Sequence, residues 1–256
     1  MLYLRYQKNG EVRYGWLDSG PSGARVGAVI GDVFGDSKRG PVVAELREVT
    51  LLPPVAPSKI IAVGQNYSAR VEELGLELPD IPPLFLKPPS AIIGHGDEII
   101  LPPQSVQVEH EAELAVIIGR RARWVSVEDA LKFVWGYTCA NDVTARDIEQ
   151  RDSQLTRGKG FDTFCPLGPW VSTDVDPSDV VITCSVNGQV RQMSSTRELR
   201  FSVPQLIAFI TSVMTLEPGD VILTGTPAGV GPIVAGDQVE VEIEGIGTLS
   251  NHVRTA

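Results

Sequence analysis

The segment VEHEAELAVIIG, Val108 to Gly119, sets acids at every second position and then runs straight into apolar residues. Successive side chains of a strand point to opposite faces, so Glu109, Glu111 and Glu113 share one face while His110, Ala112 and Leu114 share the other. Neighbours on one face are ~6.6 Å apart along the strand, close enough for two flexible carboxylates to reach one cation. An edge strand with a solvated acidic face is one reading of the pattern. The continuation LAVIIG argues against it, because an uninterrupted apolar run marks a strand buried on both faces. Acids at the end of a core strand are expensive unless something compensates them, and a metal ion would do so.

A second acidic cluster, CANDVTARD, stands where a strand is expected to turn into a helix and supplies Asp142, then Arg146 and Asp147. An all-carboxylate set suits a hard cation, Mg²⁺ or Mn²⁺, which prefers oxygen ligands and keeps positions open for water or substrate. Zinc fits less well, since the chain holds three histidines and none has a spacing such as H-E-x-x-H.

Charge and length narrow the function classes. A formal net charge of −10 without a Lys/Arg patch argues against nucleic acid or an anionic membrane as partner. A small anionic substrate stays compatible if local cations or a metal ion offset the acids. Cys139, Cys165 and Cys184 are odd in number, far apart and lack C-x-x-C spacing, so they read as core thiols of a reducing compartment. The N-terminal MLYLRYQKNGEVRYG has no continuous apolar stretch, and the longest apolar run, LIAFITSVM, is about half a membrane span. A cytoplasmic, globular protein is expected.

The 256 residues are enough for one large domain or for one domain with a small appendage. Residues 1–57 carry short alternating runs split by Gly and Asp, which predicts a small N-terminal antiparallel β domain closed by the Pro-rich linker LLPPVAPSK. Residues 58–256 then form the second domain. In it KIIAVG predicts a buried strand, NYSARVEELG a short helix or loop, and Ser126–Asp129 a helix start continuing through ALKFV. VITCSVNGQVRQ predicts a hairpin turning at Asn187-Gly188, and Ser202-Val-Pro-Gln205 a capping box opening the helix PQLIAFITSVM. Strands dominate, so a mainly β (α+β), mostly antiparallel architecture follows.

VEHEAELAVIIG, GYTCANDVTARD, GKGFDTFCPLGPW and ILTGTPAGVG occur in that order, and together they resemble the fumarylacetoacetate hydrolase family over about residues 58–253. The resemblance implies a mixed β-sandwich roll and a divalent metal, Mg²⁺ or Mn²⁺, held by two glutamates and one aspartate. Matched position by position these are Glu111, Glu113 and Asp142, with Glu109 just outside the pair. It also implies a 2-oxo acid substrate bound through its carboxylate and its keto or enol oxygen, a metal-stabilised enolate, and a homodimer. Arg146 and Lys159 match positions that face substrate oxygens; a surface ion pair of either with Asp147 or Asp152 is the plain alternative. The loop GTPAGVG lacks the Lys-Ser/Thr ending of a phosphate cradle. Gly225 and Thr226 match a loop lining the substrate pocket, and an ordinary β-turn is the plain alternative.

Three departures from the family pattern bear on the reaction. Many hydrolytic members carry N-Y-x-x-H-x-x-E, whereas this chain reads Asn66-Tyr67-Ser-Ala-Arg70-Val-Glu-Glu73. Arginine stays charged and cannot act as a general base, so water activation by a His–Glu dyad is in doubt. Neither His110, facing away from the ligands, nor His95, in a loop, is a convincing replacement. Glu149 stands where the family often has Gln, and an ionised carboxylate cannot donate to an oxyanion. Gly160, where Ser is common, is expected to loosen the loop after Lys159.

The chemistry that survives most easily is enolisation and proton transfer. The expected function is isomerisation of an unsaturated 2-hydroxy/2-oxo dicarboxylic acid of aromatic catabolism. Arg70 would clamp the distal carboxylate, Tyr67, Gly225 and Thr226 would line the pocket, Arg146 would face substrate oxygens, and Glu73 or Lys159 would shuttle the proton. C–C bond hydrolysis of an acylpyruvate-like substrate and oxaloacetate decarboxylation compete within the family. A metal-containing binding protein with little turnover is the reading from outside it.

Overall fold

The apolar run after the acids does become a strand buried on both sides. In the computed structural model, which describes residues 1–20 and 23–256, Ala112–Ile118 is the centre of a large twisted sheet. Leu114, Val116 and Ile118 face one apolar cluster, while Ala115 and Ile117 face another. None of these five side chains retains measurable exposure, and full burial of each Val, Leu or Ile contributes about 1.5–3 kcal/mol.

From one edge to the other, this sheet runs through Ser37–Glu45, Gly23–Gly31, Glu11–Gly20, Leu2–Lys8, Cys165–Ser172, Val134–Asn141, Ala112–Ile118, Val221–Leu223, Ile60–Val63 and Leu84–Lys87. Along that path only Val221–Leu223 and Ile60–Val63 run parallel. The N-terminal residues form an antiparallel meander whose first strand pairs onto the later sheet, Leu2 with Ser172 and Tyr3 with Val171. Part of LLPPVAPSK is also strand, Thr50–Leu52, paired with Leu2–Lys8.

A five-stranded sheet of Gln189–Ser195, Val181–Val186, Gln238–Ile243, Gly247–Thr255 and Glu98–Leu101 packs over one face. Ile182, Cys184, Val241 and Leu249 there share a core with Leu114, Val116 and Cys139, and the mainly β sandwich roll is closed by this layer. Asn187 and Gly188 both take positive φ, 52° and 75°, the backbone of a tight I′ hairpin turn. Ser202 and Gln205 form the capping box of the helix Val203–Val213, whose Leu206, Ile207 and Ile210 complete that core.

Two local expectations give way. The helix expected from Ser126 is reduced to the single 3₁₀ turn Ala130–Phe133, although Ser126 Oγ does accept the Asp129 N–H at 3.3 Å. Val127 and Leu131 are exposed at 44 % and 46 %, so the turn is held to the core only by Ala130 and the half-buried Phe133, too little to sustain a longer helix. Nor is VEHEAELAVIIG one continuous strand. Val108–His110 belongs to a separate three-stranded sheet, and the chain breaks at Glu111 before Ala112–Ile118 begins.

Candidate active site

The break at Glu111 is bridged from the neighbouring strand. Asn141 Oδ1 accepts the Glu111 N–H at 2.9 Å, and the Glu111 carbonyl accepts the Asp142 N–H at 2.8 Å. Ala112 pairs with Asn141, so antiparallel register sets Glu111, Glu113 and Asp142 at adjoining strand ends. Carboxylate oxygens of the three lie within 4.8 Å of one another, all buried. Val221–Leu223 runs alongside, with Ala115 opposite Leu223, and carries the next loop past Glu113. There the Gly225 N–H donates to Glu113 Oε2 at 2.6 Å. Gly225 has φ +99° and an added Cβ would lie 2.8 Å from Asn66 Cβ, so only glycine lets this loop approach so closely.

The acids are met by buried cations. Lys159 Nζ lies 2.7 Å from both Glu111 Oε2 and Asp142 Oδ2. Lys87, which the sequence reading did not single out, donates to Asp142 Oδ1 at 2.6 Å and to the backbone carbonyl of Lys159. Arg146 is engaged on three sides, donating to Glu109 at 2.7 Å and also to Glu111 and Glu149, and it pairs with neither Asp147 nor Asp152. Glu109 is thus the neighbour that holds Arg146.

These contacts set the protonation of the group. Burial alone would raise Glu111, but the Lys159 and Arg146 charges outweigh it and hold the carboxyl at about 2. Glu113 lacks such a cation: burial, then the Asp142 and Glu111 charges, push its carboxyl well above the usual range. Burial would lower Lys159, yet Asp142 and Glu111 hold its ammonium strongly protonated. Counting Glu109, Glu111, Glu113, Asp142 and Glu149 against Lys87, Arg146 and Lys159, five acids face three bases, −2 with every carboxyl ionised, and it is this excess that raises Glu113. That surplus sits at an all-oxygen donor set, which fits one hard divalent cation.

Above the acids opens a cleft of about 450 Å³, lined among others by Arg70, Phe85, Glu113, Asp142, Lys159 and Thr226. Glu111, Arg146 and Glu149 also reach it. Arg70, on the short helix Ser68–Glu73, pairs with Glu73 at 2.5 Å, and Glu73 Oε1 in turn accepts the Gly229 N–H at 3.1 Å. Glu73 therefore latches the helix to the loop after Thr226 and stands behind Arg70 rather than in the cleft wall. Tyr67 also lies behind the wall, 1 % exposed, and its hydroxyl has no hydrogen-bond partner among the described residues. Burial, then the Glu113 and Glu198 charges, raise its phenol.

His110 faces away from the cleft toward Gln192 and Cys184, and His95 accepts the Ser250 N–H at its Nδ1, far from the cleft lining. Gly160 does not loosen its loop: a Cβ there would lie 2.4 Å from the Thr156 carbonyl, so the absence of a side chain is what lets the turn close. Lys87, Asn141 and Gln192 escaped the sequence reading. Lys87 was legible only as one residue of an extended segment, with its partner 55 positions away.

Residues 59–254 match the model of the fumarylacetoacetate (FAA) hydrolase C-terminal family, and residues 1–54 match the Rv2993c-like N-terminal one. The chain belongs to the fumarylacetoacetate hydrolase family. Members are enzymes, typically dependent on a divalent metal. The chain is similar to a solved structure of 5-carboxymethyl-2-hydroxymuconate delta-isomerase from Mycobacterium smegmatis, with 46 % identity, TM-score 0.94 and full coverage of both chains. It is 45 % identical to the mitochondrial oxaloacetate tautomerase FAHD2A of Bos taurus over 80 % of this chain and 70 % of the relative. Fumarylpyruvate hydrolase from Pseudomonas aeruginosa, solved in complex with Mn²⁺ and pyruvate, is 32 % identical with TM-score 0.75, covering 80 % of this chain and 91 % of that one. No helix among the described residues is long and apolar enough to cross a membrane.

Proposed function

We propose that this family member is a divalent-metal-dependent isomerase or tautomerase of a 2-oxo or 2-hydroxy-enol dicarboxylic acid. The observation that carries the reading is the charge layout of the cleft. Three carboxylates and Lys159 stand at its floor, and Arg70, a permanent cation, lines the same cleft at the position where a hydrolytic dyad needs a base. The substrate named for the mycobacterial isomerase is a tricarboxylic acid and that named for the bovine tautomerase a dicarboxylic one; each has an oxygen at carbon 2 and a carboxylate remote from it, which suits two separated cationic ends.

A bound Mg²⁺ or Mn²⁺, held by Glu111, Glu113 and Asp142, supplies Lewis acidity and cancels the surplus acid charge. Lys159 holds a positive charge where the oxyanion of the enolate develops, at no cost in reorganisation. Thr226 donates to a substrate carboxylate oxygen. Arg70 exchanges Glu73 for the distal carboxylate, fixing the carbon chain, while Glu73 keeps its hold on the Gly229 N–H behind it.

One assay panel tests the reading: oxaloacetate, 2-hydroxyhepta-2,4-diene-1,7-dioate and an acylpyruvate, each with Mn²⁺ and with chelator. Metal-dependent tautomer or double-bond shift without C–C cleavage is expected. The similarity to fumarylpyruvate hydrolase makes cleavage the specific competing outcome, and pyruvate release as the main product would replace this reading with hydrolysis. Absence of any metal-stimulated turnover would leave a binding protein.

A further inference from the structure

Gln192 lies on the strand Gln189–Ser195 and is 1 % exposed. Its amide has four hydrogen-bond partners. Oε1 accepts the Ala112 N–H at 3.0 Å and lies 2.9 Å from His110 Nδ1, while Nε2 donates to the Pro227 carbonyl at 2.8 Å and to Thr226 Oγ1 at 2.7 Å. Two of these partners cannot exchange roles, since a backbone N–H only donates and a proline carbonyl only accepts. The amide therefore has one orientation. It follows that His110 carries a proton on Nδ1, and that Thr226 Oγ1 accepts.

A threonine hydroxyl has a single proton. With one lone pair taken by Gln192, that proton points elsewhere, and no acceptor for it occurs among the described residues. The Thr226 side chain lines the cleft. We propose that Gln192 is a positioning residue that makes the Thr226 hydroxyl an obligate donor into the cleft, selecting ligands that set an anionic oxygen against it. The same amide ties Ala112, between Glu111 and Glu113, to the loop carrying Thr226, so acids and donor keep one spacing. This inference rests on the reading of the cleft as a 2-oxo acid site.

The test uses oxalate, a planar dianion resembling a 2-oxo acid enolate, titrated calorimetrically into the full chain saturated with Mn²⁺. Mn²⁺ affinity and thermal unfolding are measured alongside. Thr226→Val is expected to weaken oxalate roughly tenfold, the loss of one hydrogen bond to a charged group. Gln192→Glu is expected to match it, because its carboxylate, or its protonated form with the one proton given to the Pro227 carbonyl, accepts the Thr226 proton. The double variant is expected to be no weaker than Thr226→Val, with Mn²⁺ affinity retained in all three. Wild-type oxalate affinity in Gln192→Glu, or losses that multiply in the double variant, would overturn the positioning role while leaving the 2-oxo acid reading intact. Unchanged affinity in Thr226→Val would overturn that reading and the inference with it. Should Gln192→Glu fail to fold, Gln192→Met takes its place: a weakening of a few fold supports the role, and wild-type affinity overturns it.

Discussion

Lys87 Nζ lies 2.6 Å from Asp142 Oδ1, with the two side chains 0 % and 1 % exposed. A buried pair of this kind contributes little over an apolar substitute, but breaking it strands a charge. Lys87→Met is expected to destabilise the protein by about 3–5 kcal/mol in urea unfolding. Adding Asp142→Asn should restore part of that loss, and a simple sum of the two single effects would show that the pair is not coupled.

Lys159 joins Glu111 to Asp142 and lies in the cleft, so it affects turnover and metal loading in opposite directions. Lys159→Met is expected to lower kcat/KM about a hundredfold or more, as loss of an oxyanion-stabilising charge does. The same variant should bind Mn²⁺ at least as tightly as wild type, because a competing cation is gone. Weaker Mn²⁺ binding would mean that Lys159 organises the acids rather than competes for them.

If Arg70 clamps a distal carboxylate, its loss falls on substrate binding. Arg70→Gln is expected to raise KM for a dicarboxylic substrate by roughly ten- to a hundredfold, the loss of a charge-assisted hydrogen bond, with little effect on a substrate whose tail is neutral. Equal effects on both substrates would remove Arg70 from recognition and leave it as the partner of Glu73.

The thiols give a pH dependence. Burial raises all three: Cys165 and Cys184 are pushed up to about 12, and Cys139, donating to the Gly247 carbonyl at 3.3 Å, is raised further. The folded state thus keeps protons that the unfolded chain releases from about pH 8.5. Stability from this source is fully present below that pH and falls as pH rises toward 12. Urea midpoints measured from pH 8 to 10.5 should decline, and less steeply in Cys184→Ala. A disulfide reagent at pH 8 should titrate no thiol in the native protein and all three after denaturation.

How far the sequence could be read followed from where the determining interactions lie. The buried strand Ala112–Ile118 was legible because an apolar run is local, and Asn187-Gly188 and Ser202–Gln205 because turn and cap chemistry is local as well; the break at Glu111 was not. Lys87 was not, since a lysine in a short strand normally directs its ammonium to solvent and only the fold brings Asp142 to it. Asn141 and Gln192 were hidden for the same reason: one replaces a missing ladder bond of Glu111, the other ties three separate segments. The Ser126 segment carried a valid start signal but leaves Val127 and Leu131 exposed, and the scant burial decided its shape. Arg146 was read as facing substrate oxygens, and its three carboxylate partners, which depend on the break at Glu111, were not legible.

The lysines and arginine among the clustered carboxylates also bear on the order in which fold and site are completed. Their ammonium and guanidinium groups act as internal counterions from the moment the strands meet, so completing the fold does not wait on a supply of divalent ions. A zinc finger, which is unfolded without its metal, lies at the other extreme. For Glu111 and Asp142, taking up an ion would be an exchange of one positive charge for another within a finished scaffold. On the proposed reading, chains made where the ion is scarce are already folded before they meet it.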